Sequence, residues 1–324
     1  MVKGKLSKKS ELDLVRNIAK WARRAPGSDS SLVVGIGDDA AIYRARASRE
    51  DLIFTTDLMI EDVHFRRSTH RAQDVGWKCL ARGLSDIAAM GGEPRFCLVS
   101  LAAAEWADAR WIAGFYGGLL RLARREHTAL AGGDLARAAK VACDIVVCGA
   151  VPRGRALRRD SARVGDAIYV SGALGGSARG LAKGRGSAWK RHLRPEPRLA
   201  LGRFLRDTLR ATAAMDLSDG LSIDLRRMCE ASRLRAEIGI PPIYPGATLA
   251  QALHGGEDYE LLFTVSPRLE VPLEFAGLPL THIGRMRRGR VGIMLNGQRL
   301  DPLGWDHFAS RSSSKSPLPA TRPD

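Results

Sequence analysis

The sequence predicts a mixed α/β fold in two domains. Apolar runs typical of strands alternate with amphipathic segments typical of helices, and 324 residues with 45% hydrophobic content suffice for two cores of ordinary size. A polar, arginine-rich stretch at 152–166 separates two such blocks. We therefore expect an N-terminal sheet domain at 11–150 and a C-terminal α/β domain at 151–310, between a flexible basic N-terminus at 1–10 and a disordered tail at 311–324.

Hydrophobic periodicity assigns the elements of the first block. The segment ELDLVRNIAKWARR spaces its apolar residues as one helical face. The segment DLIFTTDLMI is instead typical of a strand. A glycine pair after DVGWKCLARGLSDIAAM is a helix stop signal. The predicted order is a helix at 11–24, a strand at 51–60, a helix at 74–92, a strand at 94–104, a helix at 107–127 and a strand at 140–152.

The second block starts with the same rhythm. The segment at 166–182, DAIYVSGALGGSARGLA, predicts a strand, a glycine turn and a helix. Further along, LSIDLRRM has a helical stripe of apolar residues. The segments at 281–289 and 290–300 predict terminal strands, and Asn296-Gly297 indicates a turn within the latter.

Composition and charge disfavour several classes of protein. The formal net charge is +16, but the basic residues are scattered and aromatic residues make up only 6%, so we expect no nucleic-acid partner. No apolar run is long enough to cross a bilayer, and we expect no membrane association. The five cysteines form no C-x-x-C pair, which favours free thiols in a reducing compartment. We therefore predict a cytoplasmic location.

Carboxylates recur beside glycine, serine or threonine. The stretch GIGDDAAIY at 35–43 places two adjacent aspartates behind two glycines, and further carboxylates occur in TTD, LSD, GGD, DLSDG and GGEDYE. Small neighbours let an ion or a phosphate approach the backbone closely. Oxygen ligands of this kind suit Mg²⁺, which combines a few carboxylates with water and substrate phosphates. The pattern indicates a magnesium site and, through it, a nucleotide site.

Each motif also has a local explanation. Ser218 or Asp219 could cap the helix that begins at LSIDL. Asp86 could pair with Arg82, four residues earlier on a helix, and Asp38 could bond backbone within its own turn. The sequence has no G-x-x-x-x-G-K-[ST], H-R-D or D-F-G motif, so P-loop and protein-kinase mechanisms are disfavoured.

The motifs taken together resemble a known family. From residue 35 to 308 the chain carries, in order, GIGDDAAI, TTDLMIEDVHF, GWKCLARGLSDIAAMGGEP, AGGD, GRALRR, RHLRPEPR, DLSDGLSIDL, GGEDYELLF and GWDHF. This combination resembles thiamine-monophosphate kinases. The resemblance implies the fold of aminoimidazole-ribotide synthetase, with an N-terminal domain that dimerises through its sheet. It also implies the reaction, in which ATP and thiamine monophosphate give ADP and thiamine diphosphate.

The resemblance also implies roles for individual residues. Catalysis is assigned to Asp57, Asp134 and Asp219. The implied Mg²⁺ ligands are Asp39, Thr55, Thr56, Asp57, Asp86, Asp134, Asp216 and Asp219. The implied nucleotide contacts are Gly133, Asp134, Arg159 and Ser218, and the implied thiamine-phosphate contacts are His64, Glu257 and Trp305. Because a phosphate acceptor is already ionised near neutral pH, we expect direct transfer, with His64 positioning the substrate.

Other enzymes of the superfamily are alternatives. Selenophosphate synthetases and hydrogenase-maturation dehydratases would use a reactive cysteine or selenocysteine near the N-terminus or a C-terminal cysteine tail, whereas here the first cysteine is Cys79 and the sequence ends LPATRPD. Aminoimidazole-ribotide synthetase is the nearest remaining alternative, and a basic nucleic-acid-binding protein is a more distant one. Three positions depart from the family pattern, namely Asp62, Gly83 and Leu135.

Overall fold

The computed structural model describes residues 11–24 and 29–305, and the predicted N-terminal segment at 1–10 and tail at 311–324 lie outside the described residues. The helices are α1 (Glu11–Arg24), α2 (Ala72–Ala89), α3 (Ala109–Arg125), α4 (Gly176–Lys183), α5 (Gly186–Leu193), α6 (Leu199–Asp207), α7 (Leu221–Ser232) and α8 (Leu249–His254), with a 3-10 helix at Arg159–Ser161. None of these described helices is long and apolar enough to cross a membrane.

The strands form two sheets. Those of the first are β1 (Leu32–Val34), β2 (Ala41–Tyr43), β3 (Glu50–Ile60), β4 (Glu93–Ala103), β5 (Ala129–Arg137) and β6 (Ala142–Pro152). Those of the second are β7 (Ala167–Ser171), β8 (Ala213–Asp216), β9 (Arg235–Ile238), β10 (Leu261–Val265), β11 (Glu274–Phe275), β12 (Leu278–Arg287), β13 (Gly292–Leu295) and β14 (Gln298–Leu300).

The first sheet has the order β1-β2-β3-β6-β4-β5. Strands β3 and β6 form its antiparallel centre, whereas β4 and the edge strand β5 run parallel. Helix α2 covers one face, because a Cβ at Gly83 would lie 2.6 Å from Cγ2 of Val147 on β6. Side chains alternate along a strand, so Thr55 and Asp57, which pair with Val147 and Ile145, point to the α2 side.

The opposite face of the first sheet, which we call the open face, carries Phe54, Thr56 and Leu58 of β3 and Leu98 of β4. Among the residues that the structure describes, it retains large exposed apolar side chains: Leu58 is 50% exposed and Leu98 is 37% exposed. An uncovered apolar sheet face of this kind is typical of an interaction surface.

The second sheet has the order β14-β13-β9-β12-β7-β10-β8, and β11 pairs with β12 outside that path. Leu225 and Met228 of α7 share a core with strand residues such as Ile168 and Met286. Apolar residues every three or four positions place one face of α7 against the sheet.

Helix α2 joins the two halves of the chain. Toward the second half, its Trp77 indole donates a hydrogen bond to the Pro195 carbonyl (2.9 Å). A Cβ at Gly202 of α6 would lie 2.1 Å from the Ala88 carbonyl oxygen, so the two helices pack closely at that point. Any functional group on α2 is therefore fixed relative to both sheets.

The predicted elements of the first block are confirmed, with bounds that differ by no more than three residues. In the second block, the strand–turn–helix at 166–182 is confirmed as β7 and α4, and Asn296-Gly297 lies in the turn between β13 and β14. Strand β5, which carries the GGD motif, was not predicted as a strand.

The packing of α2 on α3 gives a prediction about stability. A Cβ at Gly118 of α3 would lie 1.9 Å from the Gln73 carbonyl oxygen of α2, whereas a Cβ at the adjacent Gly117 meets nothing within 4 Å. We expect Gly118→Ala to lower the free energy of unfolding by about 1 to 3 kcal/mol, because the two backbones must separate. Gly117→Ala is the matched control and should raise it by up to about 1 kcal/mol through helix propensity. Denaturant unfolding followed by circular dichroism measures both, and equal effects of the two substitutions would refute the close approach.

Candidate active site

Three carboxylates from separate parts of the chain meet beside α2. Asp39 lies in the loop between β1 and β2, Asp86 lies near the end of α2, and Asp216 ends β8. One oxygen of each lies within 4.8 Å of the other two. Asp86 accepts a hydrogen bond from the Thr55 hydroxyl, and Asp216 accepts one from Ser85 Oγ at 2.6 Å. We call these three residues the carboxylate group.

Burial and mutual repulsion disfavour the charged forms of the carboxylate group. Burial raises the pKa of Asp39 to about 6 and that of Asp216 to about 7. The pKa of Asp86 lies well above its usual range, because of burial and of the neighbouring charges of Asp57, Asp216 and Asp39. Asp39 Oδ2 is buried and has no hydrogen-bond partner in the described structure. Crowded anionic oxygens of this kind are stabilised by a hard cation.

Arg159 anchors the GIGDD turn to the 3-10 helix. Its guanidinium pairs with Asp39 and lies 3.4 Å from Asp38 Oδ1. The same oxygen of Asp38 accepts the backbone N–H of Asp39 at 2.9 Å, so the expectation that Asp38 bonds within its own turn is confirmed. The GIGDD turn thus holds Asp39 beside Asp86 and Asp216, and Asp38 stabilises the turn itself.

The TTD motif is divided between the two faces of β3. Thr55 and Asp57 point toward α2, and Asp57 pairs with Arg82 at 2.7 Å. Thr56 is exposed, and its hydroxyl donates to Asp144 at 2.8 Å on the open face. The side chain of Thr56 is therefore not brought to the carboxylate group.

The local pairing of Asp86 with Arg82, which the sequence left open, is not formed. The Arg82 guanidinium reaches Asp57 on β3, and its Nη1 also donates to the Leu58 carbonyl at 3.2 Å. Asp86 instead accepts from Thr55. Helical spacing made the local pair possible, but in the folded chain each of these side chains finds a partner on the sheet.

The DLSDG motif links β8 to α7. Neither Ser218 nor Asp219 caps α7, so that explanation is wrong: the N-cap is Gly220, and no cap hydrogen bond comes from a side chain there. Asp224, one turn into the helix, accepts the backbone N–H groups of Asp219 and Gly220, both at 3.0 Å. The Asp219 carboxylate is therefore not needed as a cap, and it pairs with Arg227 at 2.5 Å.

Gly133 and Asp134 lie apart from the carboxylate group. Asp57, Ile145, Val99 and Gly133 form one cross-strand row from β3 to β5. Three inter-strand spacings of about 4.8 Å place Gly133 about 14 Å from Asp57. Asp134 is exposed, and the structure pairs one of its oxygens with the N–H of Leu135 at 2.9 Å. Within one chain these two residues are not brought to the other predicted site residues.

Two of the three predicted thiamine-phosphate residues adjoin the DLSDG motif. The Glu257 N–H donates to the Ser218 carbonyl at 2.6 Å, and the Trp305 N–H donates to the Asp219 carbonyl at 3.1 Å. His64 lies in the turn after β3, where Nδ1 accepts the N–H of Ile60 at 3.0 Å. The backbones of Glu257 and Trp305 are thus bound to two consecutive residues, the predicted nucleotide residue Ser218 and Asp219.

Several residues at the site were missed by the sequence analysis. Lys78, Arg82 and Ser85 share one side of α2 with the predicted ligand Asp86 and contact, respectively, Glu257, Asp57 and Asp216. Their spacing of three or four residues in KCLARGLSD is the signal that could have identified this polar stripe. Arg227 and Asp224, which hold the start of α7, gave no separate signal.

The fold is of the aminoimidazole-ribotide-synthetase class, and comparison agrees: the model of the AIR synthase related protein N-terminal domain matches residues 37–153. Thiamine-monophosphate kinase of Bacillus subtilis (strain 168) is 37% identical over 92% of this chain and 99% of that protein. The same enzyme of Escherichia coli (strain K12) is 37% identical over 90% of this chain and 97% of its own.

A solved structure described as AaThiL complexed with AMPPCP and TMP superposes with a TM-score of 0.84 at 31% identity, covering 95% of this chain and all of the other. The chain belongs to the thiamine-monophosphate kinase family. The predicted family and fold class are both confirmed, whereas the roles of individual residues remain predictions.

The carboxylate group gives a prediction about metal binding. We expect Mg²⁺ to raise the melting temperature of the wild-type protein by relieving the repulsion among Asp39, Asp86 and Asp216. Asp216→Asn should melt no lower than wild type in EDTA, because one of three crowded charges is gone, but it should lose most of the rise with Mg²⁺. Thermal unfolding with EDTA and with Mg²⁺ measures both. Asp301→Asn, at an exposed surface pair with Arg299, is the control, and an Asp216→Asn protein with the full Mg²⁺ response would contradict the assignment.

Proposed function

We propose that the protein transfers the γ-phosphate of ATP to the phosphate of thiamine monophosphate, giving ADP and thiamine diphosphate. The observation that carries this proposal is the contiguity of two sites. The carboxylate group includes Asp216, and two and three residues further along the chain, Ser218 and Asp219 hold the backbones of Glu257 and Trp305. A site for charged phosphates and a site for an aromatic acceptor thus share one short segment.

In this proposal Asp39, Asp86 and Asp216 hold Mg²⁺, assisted by Thr55, which donates to Asp86, and by Asp57 and Asp219. The donor set fits the ion, because it consists of oxygens alone and includes a buried oxygen of Asp39 that has no other described partner. When bound, Mg²⁺ supplies positive charge that neutralises the transferring phosphoryl group. The hydroxyl of Thr56 faces away, so we do not propose it as a side-chain ligand.

The remaining residues divide between the two substrates. Arg159 and Ser218 contact the nucleotide, and the guanidinium of Arg159 adds a fixed positive charge beside its phosphates. His64, Glu257 and Trp305 contact thiamine monophosphate. The indole of Trp305 suits the acceptor because thiamine carries a cationic thiazolium and a flat pyrimidine, both of which stack on aromatic faces. The acceptor phosphate is already ionised, so its orientation matters more than a general base.

We also propose that the chain is cytoplasmic, forms two domains at 11–150 and 151–310, and acts as a homodimer through the first sheet. Exposed Leu58 and Leu98 on the open face support the dimer. In a two-fold dimer the same surface of each copy meets the other. If the two copies pack with their open faces toward each other and the edges of their sheets in contact, β5 of one copy lies beside the β1–β2 edge of its partner.

The proposed dimer accounts for the place of Asp134. Within one chain, Asp134 lies about 14 Å from the β3 side of the site, on strand β5, whose residues are exposed except for half-buried Leu130. The loop between β1 and β2 of the partner carries Asp39. We propose that Gly133 and Asp134 of one copy complete the nucleotide site of the other.

Incubation with ATP, Mg²⁺ and thiamine monophosphate tests the proposed function, and we expect thiamine diphosphate as the product. Asp57→Asn should lower turnover by about 10²-fold or more, because asparagine keeps the shape but loses the charge that supports the cation. Exposed Asp301→Asn should leave turnover unchanged. Turnover of the aminoimidazole-ribotide-synthetase substrate without any thiamine diphosphate would instead support that enzyme.

Mixing variants tests the shared site. Asp134→Asn and Asp216→Asn should each be nearly inactive as homodimers. When the two are co-expressed and purified together, one of the two sites in a mixed dimer combines an intact Asp134 from one copy with an intact Asp216 from the other. We therefore expect up to about a quarter of wild-type activity, since half of the dimers are mixed and each has one intact site. Activity no higher than that of the separate variants would place Asp134 in the site of its own chain.

A further inference from the structure

Lys78 is a buried charge that the proposed reaction does not use. It lies in the middle of α2 with a fully buried side chain, and Nζ is 2.8 Å from Glu257 Oε2. Among the described residues, Glu257 is the one partner that the structure gives to this ammonium group. A lysine is almost never buried unless it is paired, so its position is set by Glu257.

Glu257 is fixed from three sides. Its backbone N–H and that of Tyr259 donate to the Ser218 and Leu217 carbonyls, at 2.6 and 3.0 Å. Its φ is +66°, a left-handed conformation that a non-glycine residue adopts only when its surroundings enforce it. The side chain is then held by Oε2, which contacts both Lys78 and, at 3.3 Å, Nδ1 of His192.

The two partners of Oε2 are not equivalent. Burial lowers the pKa of His192 to about 3, so this imidazole is neutral and also contacts the Ser177 hydroxyl at 2.8 Å. Burial alone would raise the pKa of Glu257, but the Lys78 ammonium, with a smaller contribution from Arg82, lowers it to about 2. Lys78 therefore supplies the positive charge in direct contact with this carboxylate.

The other oxygen of Glu257 is available. The side chain of Glu257 retains 25% exposure, although that of Lys78 has none, and both described side-chain contacts are made by Oε2. Oε1 is the oxygen left to meet a ligand, beside the Ser218–Asp219 segment that also holds Trp305.

We propose that Lys78 is a positioning residue for the acceptor substrate. Its ammonium group holds Glu257 Oε2 so that Oε1 is presented, ionised and in one orientation, to the cationic and amine-bearing rings of thiamine monophosphate. This inference rests on the proposed function, in which Glu257 contacts the acceptor. A purely stabilising role is disfavoured, because a buried ion pair contributes little net stability compared with apolar residues of similar size.

Steady-state kinetics with each substrate varied in turn tests the proposal. Lys78→Met and Glu257→Gln should each raise KM for thiamine monophosphate about tenfold, while KM for ATP stays within about twofold of wild type. The double variant Lys78→Met/Glu257→Gln should resemble Glu257→Gln alone, because Lys78 acts through Glu257. Lys183→Met, at an exposed lysine of α4, is the matched control and should have wild-type constants.

The outcomes separate the possible explanations. A Lys78→Met protein with an unchanged KM for thiamine monophosphate, or with equal rises for both substrates, would overturn the positioning role. If Lys78→Met does not fold because Glu257 loses the ammonium group that balances its charge, the double variant, which contains neither charge, decides. KM values for both substrates that rise beyond those of Glu257→Gln would overturn the role. A wild-type protein that makes no thiamine diphosphate would instead overturn the proposed function, and this inference with it.

Discussion

The repulsion among Asp39, Asp86 and Asp216 is the constraint on which the rest of the structure depends. Three carboxylates, of which Asp216 is buried and the other two are half-buried, cannot be brought within 4.8 Å of one another unless rigid elements hold them there, since each would otherwise move toward water. Helix α2 meets this requirement because it packs on the first sheet through Gly83 and on α6 through Ala88. Asp86 is consequently held between a turn of the first sheet and the end of a strand in the second.

The sequence predicted those parts of the fold that periodicity controls. Strand β3 and helices α2 and α3 follow directly from their apolar patterns, and the predicted group of acidic motifs includes the three carboxylates that meet. It could not predict partners between elements distant in sequence. Arg82 pairs with Asp57 across 25 positions, and no rule of local spacing connects them. The exposed strand β5 was missed for a related reason, because AGGD has neither the apolar alternation nor the β-branched residues that indicate a strand.

Gly83, one of the three positions predicted to depart from the family pattern, has a packing consequence. A Cβ at Gly83 would lie 2.6 Å from Val147 Cγ2, closer than real Cβ atoms approach. A larger side chain at this position would force Val147 or the helix to move, so the glycine allows α2 to lie close to β6. The same approach brings Arg82, the residue immediately before Gly83, within reach of Asp57. Close packing and the ion pair at Asp57 are therefore linked through one position of α2.

The charges along α2 change in a regular way from one end of the site to the other. Lys78 neutralises Glu257 and, one turn later, Arg82 neutralises Asp57. Another turn along, Asp86 adds its negative charge to those of Asp39 and Asp216. The Glu257 end of α2 is thus balanced one for one by the protein itself, about 12 Å along the helix axis from the carboxylate group. There, the one cation in described contact with the three carboxylates is the guanidinium of Arg159, which pairs with Asp39. A cluster with excess negative charge attracts a divalent cation, whereas a balanced carboxylate can orient a ligand. In the proposed function one helix therefore serves two substrates, because its two ends differ in how far the protein balances their charge.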